Sequence, residues 1–180
     1  MRRIPLLALG SALLLLLDQW TKGWAVQALS LSLSGLPDEA RHLRGRVMTV
    51  CGEWLRLRLA GNPGVAGSYL GGLPDGWRVP VLALLALIAL AGAVYGYLAT
   101  ERRLTQVALL LVVGGALGNL SDRLRLGYVV DFIQVAWVGR VLPTFNLADV
   151  FICVGALMLL PGLARRRWSN VASRPGILYK

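Results

Sequence analysis

Residues 79–98 read VPVLALLALIALAGAVYGYL, twenty consecutive positions without a charged side chain. At about 1.5 Å of rise per residue, a helix of that length reaches about 30 Å, the thickness of the hydrocarbon core of a bilayer. An amphipathic surface helix would carry a polar face, and this stretch has none, so its natural solvent is lipid. Outward from it lie three more apolar runs: 4–17 (IPLLALGSALLLLL), 107–120 (VALLLVVGGALGNL) and 150–164 (VFICVGALMLLPGLA). They predict transmembrane helices at about 4–24, 79–98, 104–122 and 147–164, joined by outer segments at about 25–78 and 123–146, in one integral membrane domain spanning 1–180.

The composition of the 180 residues agrees, with 56% apolar, 16% charged and a mean hydropathy of +0.62. These values exclude a disordered chain and disfavour a water-soluble globule. The net charge of +10 does not point to nucleic acid, because many of the basic residues flank the apolar runs. Arg2 and Arg3, Arg102 and Arg103, and Arg165 to Arg167 fall on one side of a four-helix alternation. The positive-inside rule makes that side cytoplasmic, with both termini there. The basic, apolar start has the flavour of a secretory signal, but no small-x-small cleavage site follows, so 4–24 is read as a retained helix.

Cysteine and histidine counts close off other chemistry. Cys51 and Cys153 form no CxxC motif, and together with a lone His42 in an Arg-rich stretch they cannot assemble a common zinc site. No metal or cofactor is expected. In the first outer segment, 47–60 (VMTVCGEWLRLRLA) sets Leu55, Leu57 and Leu59 against Arg56 and Arg58, the alternation of a strand with one wet face. The following GNPGVAGSYLGGLPDG reads as turns, and YVVDFIQVAWV in the second outer segment is again β-prone. The expected fold is a mainly α membrane protein of four helices with a small extracytoplasmic β element and a loop over the active site.

Carboxylates are scarce, nine in all, so each can be placed. Asp38, Glu39, Glu53, Asp75 and Glu101 belong to hydrophilic segments and are read as solvated. Asp18, Asp122, Asp131 and Asp149 gather at the outer rim of the helices, and an ionisable group at an apolar boundary is a candidate for function. Bland readings compete for three of them. Asp18 and Lys22 have the i, i+4 spacing of a helix ion pair. Asp122 adjoins Arg123 and sits where a paired acid would cap a helix end. Asn146 followed by Asp149 resembles an N-cap with an acid at N3. Asp131 lacks such an account. It interrupts Tyr128-Val129-Val130 and Phe132-Ile133 with no base nearer than Arg125, so burial would cost several kcal/mol or leave it holding a proton. Facing Asp149, it would share one proton and supply an acid and a base, as in an aspartic protease.

The blocks LDQWTK (17–22), NPGVAG (62–67), GGALGNLSDRLRLGYVVDF (114–132) and PTFNLADV (143–150), in this order, resemble those of lipoprotein signal peptidase, the bacterial signal peptidase II family of aspartic endopeptidases. The resemblance implies that Asp131 and Asp149 are the catalytic pair. It makes Asp122 and Arg123 supporting residues, Asn119 and Asn146 holders of substrate backbone or orienters of the acids, and Asp18 and Lys22 braces of the site. Asn62 and Gly64 would belong to an outer loop that touches substrate. It further implies cleavage of diacylglyceryl-modified prolipoproteins just before the lipidated cysteine, at the outer face of the bacterial cytoplasmic membrane, by a monomer in contact with membrane lipid and with no nucleic-acid partner. Gly67 stands where the family usually has an aromatic residue, and Pro63 and Val65 replace commoner small residues, which bears on loop contacts rather than chemistry. A transporter or proton relay would instead place its acids near the bilayer midplane, and a non-enzymatic descendant would be expected to have lost one of the pair.

Overall fold

The computed structural model describes residues 3–30, 47–64 and 74–172, with backbone alone at 75 and 162–172. The order is α1 (Arg3–Leu29), β1 (Val47–Cys51), β2 (Leu55–Asn62), α2 (Asp75–Ala99), α3 (Arg103–Leu126), β3 (Val129–Trp137), β4 (Arg140–Val141) and α4 (Leu147–Ala172). Three helices, α1, α2 from Gly76 and α3, are long and apolar enough to cross a membrane, and α4 contributes a shorter apolar stretch, Leu147–Pro161. Their outward faces carry exposed leucines such as Leu9, Leu84 and Leu157, which is the surface a lipid solvent permits.

Helix α3 packs against α1, α2 and α4. Its GGALG segment allows this, because association between helices in lipid relies on close backbone approach. A Cβ at Gly118 would lie 2.5 Å from Asp18 Oδ2 and 3.1 Å from Ala148 Cβ, and one at Gly114 would lie 2.6 Å from the Leu14 side chain. Small residues therefore set α3 where α1 and α4 can both reach the same polar cluster. At the opposite end, the Arg3 guanidinium donates to the Leu98 carbonyl at 3.1 Å and the Thr100 carbonyl at 3.2 Å, and pairs with Glu101.

Helix α1 continues past the expected residue 24 to Leu29. The extra turn has a reason: Ala25 and Leu29 are buried with Leu59, Val130 and Phe132 beneath the sheet, so the β element supplies an apolar cover outside the bundle. Helix α3 stops at Gly127, whose φ of 79° turns the chain while its N–H donates to the Arg123 carbonyl at 3.0 Å. Two residues later the chain is β3, so the acids at the end of α3 and in β3 are held a short, rigid distance apart.

The β element expected in 47–60 is a hairpin, its two strands joined by a turn at Gly52–Trp54. The strands form one antiparallel sheet in the order β1-β2-β3-β4. Leu55 pairs with Val135 and Leu57 with Ile133, but Ala60 pairs with Asp131 and Asn62 with Val129. Three steps along β2 match two along β3, which is a β-bulge. One extra residue switches the face presented to a neighbour, so Asn62, which simple alternation groups with Arg56 and Arg58, shares the face of Asp131.

Candidate active site

The site is assembled from the N-terminus of α4 outward. Asn146 precedes the first helical residue, and its Oδ1 accepts from the Asp149 N–H at 2.9 Å, while Asp149 Oδ2 accepts from the Asn146 N–H at 3.2 Å. This reciprocal pairing is a capping box, and it fixes one carboxylate at the positive end of a helix. The preceding residue is fixed by the sheet: Phe145 bridges to Ile133, with N–H to carbonyl distances of 2.8 and 2.9 Å. Asn146 therefore arrives beside Asp131, and its Nδ2 donates to Asp131 Oδ1 at 2.7 Å. From the other side, Asn62 Nδ2 donates to Asp131 Oδ2 at 3.0 Å. Asp131 is 1% exposed, with an amide donor on each oxygen.

Asn119 closes the circuit. Its Oδ1 accepts from Asn146 Nδ2 at 3.0 Å and from Lys22 Nζ at 3.2 Å, and its Nδ2 donates to Asp149 Oδ1 at 2.8 Å. Because both acceptor contacts need the carbonyl oxygen of Asn119, the amide can turn only its NH2 toward Asp149. The two carboxylates are thus joined through two asparagine side chains. Burial and the Asp149 carboxylate push the Asp131 carboxyl up to about 7, against the opposing pull of the Asn62 and Asn146 amides.

Beneath this pair lies a charged layer. Lys22 Nζ is 2.8 Å from Asp18 Oδ2 and 3.0 Å from Asp122 Oδ2, all three side chains being at most 3% exposed. Asp18 and Lys22 do form the i, i+4 pair, but Asp18 also reaches α4, where its Oδ1 accepts from the Ala148 N–H at 2.9 Å. Asp122 is a paired acid at the end of α3, but its ion partner is Lys22 of α1 rather than a base on its own helix, and it accepts from the Val130 N–H at 3.1 Å, fixing the entry to β3. Arg123 turns the other way, donating to the Gly64 carbonyl at 2.7 Å and the Asn119 carbonyl at 3.3 Å. Gly64 donates in turn to Asn62 Oδ1 at 3.0 Å. Asn62 and Gly64 are thus tied to the carboxylate layer.

Gln19 joins the layer although it is absent from the set of candidates named from the sequence. Its Nε2 donates to Asp122 Oδ1 at 2.9 Å and its Oε1 accepts from Arg125 at 2.9 Å. The polar cluster DQWTK held the only signal for it, and nothing in one sequence separates Gln19 from the exposed Trp20 beside it. Among the other acids, Glu101 pairs with Arg3 and Glu53 is exposed, 3.8 Å from Arg56. The readings of Asp38, Glu39 and His42, of Val65 to Gly67 and of the turns at 65–73 lie outside the described residues, as do the side chains of Asp75 and Arg165 to Arg167. Cys51 and Cys153 are both exposed free thiols.

A raised acid gives a signed pH effect. Between its ordinary value of about 3.9 and about 7, Asp131 holds more proton in the folded protein than in the unfolded chain, so its contribution to stability falls as pH rises through that window and is lost above it. The expected result is that Asp131→Asn flattens the slope of Tm against pH between about 4 and 7, measured by thermal unfolding in detergent. An unchanged slope would contradict the raised acid.

A description of the family Signal peptidase (SPase) II matches residues 11–164. The lipoprotein signal peptidase of Anaeromyxobacter sp. (strain Fw109-5) is 37% identical over 175 residues, covering 86% of this chain and 82% of its own. That of Pseudomonas aeruginosa is 45% identical over 118 residues, covering 64% of this chain and 69% of its own. A solved structure described as a bacterial membrane enzyme superposes with a TM-score of 0.72 over 98% of this chain and 96% of its own at 24% identity, a likeness of fold.

Proposed function

The chain belongs to the signal peptidase II family, and on that premise we propose that it is a membrane aspartic endopeptidase that removes the signal peptide from diacylglyceryl-modified prolipoproteins, cutting just before the lipidated cysteine. The observation that carries this reading is the coupling of Asp131 and Asp149 through Asn146 and Asn119 at one end of the helices. In the mechanism, the pair holds one proton. The ionised carboxylate takes a proton from water, whose oxygen attacks the scissile carbonyl carbon, while the protonated partner gives its proton to the carbonyl oxygen. Collapse of the resulting diol breaks the C–N bond. The proton taken from water passes to the leaving nitrogen, yielding a signal peptide with a free carboxyl group and a lipoprotein beginning at its modified cysteine.

The membrane setting supports the same reading. All four helices, α4 included, are read as spans of the bacterial cytoplasmic membrane, with both termini in the cytoplasm and the carboxylates at the extracytoplasmic rim. A signal helix and a diacylglyceryl group both anchor a scissile bond at that depth. Low-dielectric surroundings strengthen the mutual repulsion of two ionised acids and so favour a shared proton. The protein is taken to act as a monomer on prolipoprotein within membrane lipid.

A cleavage assay in lipid tests the substrate class. Diacylglyceryl-modified prolipoprotein is expected to be cut before its cysteine, with kcat/KM at least about 100-fold above that for the unmodified form, since burying even a few methylenes at about 0.8 kcal/mol each supplies that factor. Equal cleavage of both forms would sink lipid recognition, and cleavage of neither would sink the proposed activity.

A further inference from the structure

The sheet ends in an apolar tip that no step of the proposed reaction uses. Its two turns, Gly52–Trp54 and Val138–Gly139, lie at one end and are joined by the Ala136 N–H, which donates to the Trp54 carbonyl at 2.8 Å. Trp54 is 53% exposed, Trp137 72% and Val138 84%, with Val141 exposed beside them. The β3–β4 connection has two residues, both with positive φ, 48° at Val138 and 73° at Gly139. Such a turn suits Asn-Gly, and a β-branched residue at its first position is strained. The chain thus tolerates a local strain to display an apolar side chain next to two tryptophans.

We propose that Trp54, Trp137 and Val138 form a foot that inserts into the interfacial zone of the outer leaflet of the same bilayer and holds the sheet over the site. Three observations select lipid as the occupant. From Asp131 to Trp137 is six residues, or about 20 Å of strand at about 3.3 Å per residue, so the tip stands well away from the carboxylates while belonging to the same sheet. Tryptophan favours the headgroup region, where its ring is half in hydrocarbon and its N–H stays wet. Arg140, paired with Trp137 across β3 and β4, is exposed beside the tip, placing a guanidinium group where a lipid phosphate would meet it. An apolar patch of this kind marks an interaction surface, and here it is continuous with an enzyme already immersed in lipid.

The proposal rests on the membrane-spanning reading, and the test separates the two. In a Cys51→Ser/Cys153→Ser background, Val138→Cys and, separately, Leu9→Cys are labelled with an environment-sensitive fluorophore. The protein is reconstituted in phosphatidylethanolamine/phosphatidylglycerol vesicles containing nitroxide lipids of shallow or deep position. The label at 138 is expected to emit to the blue of the same fluorophore on free cysteine in buffer and to be quenched at least twofold more by the shallow lipid, whereas the label at 9, on the exposed face of α1, is quenched by the deep one. Trp54→Ser/Trp137→Ser is expected to halve the shallow quenching at 138 and to raise KM several-fold for substrate in vesicles, with kcat retained. A water-like, unquenched label at 138 beside a quenched label at 9 would overturn the foot. Shielding at 138 only after adding prolipoprotein, or only with cross-linking between copies, would assign the surface elsewhere and overturn it too. An unquenched label at 9 would overturn the membrane-spanning reading and the foot with it.

Discussion

Asp131→Asn or Asp149→Asn is expected to lower kcat for cleavage of a diacylglyceryl-modified prolipoprotein by about a thousandfold or more, with KM little changed. Removing one carboxyl abolishes both halves of the acid–base exchange, because the remaining group can no longer take a proton from water and find a protonated partner opposite. General acid–base catalysis contributes about 10²–10⁴ per group, and groups that act as a unit are not additive, so the double variant should be no worse than either single. The two substitutions differ structurally. Asp131 accepts one amide N–H on each oxygen, and Asp149 accepts from Asn119 on one oxygen and from the Asn146 N–H on the other. An asparagine has one acceptor oxygen, so each variant loses a local bond and Tm is measured alongside. A folded variant of either kind that retained activity within tenfold of wild type would remove that residue from the catalytic pair.

The second large effect is on stability. Lys22→Met is expected to cost about 3–5 kcal/mol, the usual consequence of leaving buried charge uncompensated. Lys22 lies within 3.0 Å of oxygens on both Asp18 and Asp122, whose side chains are 0% and 2% exposed. Removing the ammonium group leaves two carboxylates from different helices facing each other, and deprives Asn119 Oδ1 of a donor. At about 2–4 °C per kcal/mol for a chain of this size, Tm should fall by about 10 °C. Adding Asp122→Asn to Lys22→Met removes one of the stranded charges, and the pair should recover a substantial part of that loss, the signature of direct coupling. A Lys22→Met protein as stable as wild type, or a double variant worse than the sum of the singles, would show that the cluster is not held by charge compensation.

Gly118 and Asn146 show how far the sequence was legible. The block GGALGNLSD signals close helix packing and a polar helix end, and Asn146 with Asp149 carries the spacing of a capping box; both features are local, so a single chain displays them. Asp131 was conspicuous for the opposite reason, as an acid without a neighbour in sequence to neutralise it. Asp122 is legible as a paired acid at a helix end, but its partner is not: adjacency in sequence places the Asp122 and Arg123 side chains about 100° apart, whereas Lys22, one hundred residues away, faces Asp122 across the α1–α3 contact.

Local physics in the sequence therefore determined the apolar helices, the gathering of rare acids at one end of them and the helix cap that holds Asp149. These depend on periodicity, hydropathy and i to i+4 spacing, all carried by neighbouring residues. Tertiary structure alone decided the partners: Asp18 reaching the start of α4, Lys22 shared between Asp18 and Asp122, and Asn62 on the face of Asp131. The last of these turns on one extra residue in β2, and a bulge is set by the pairing of two strands, a relation that no alternation within either strand encodes.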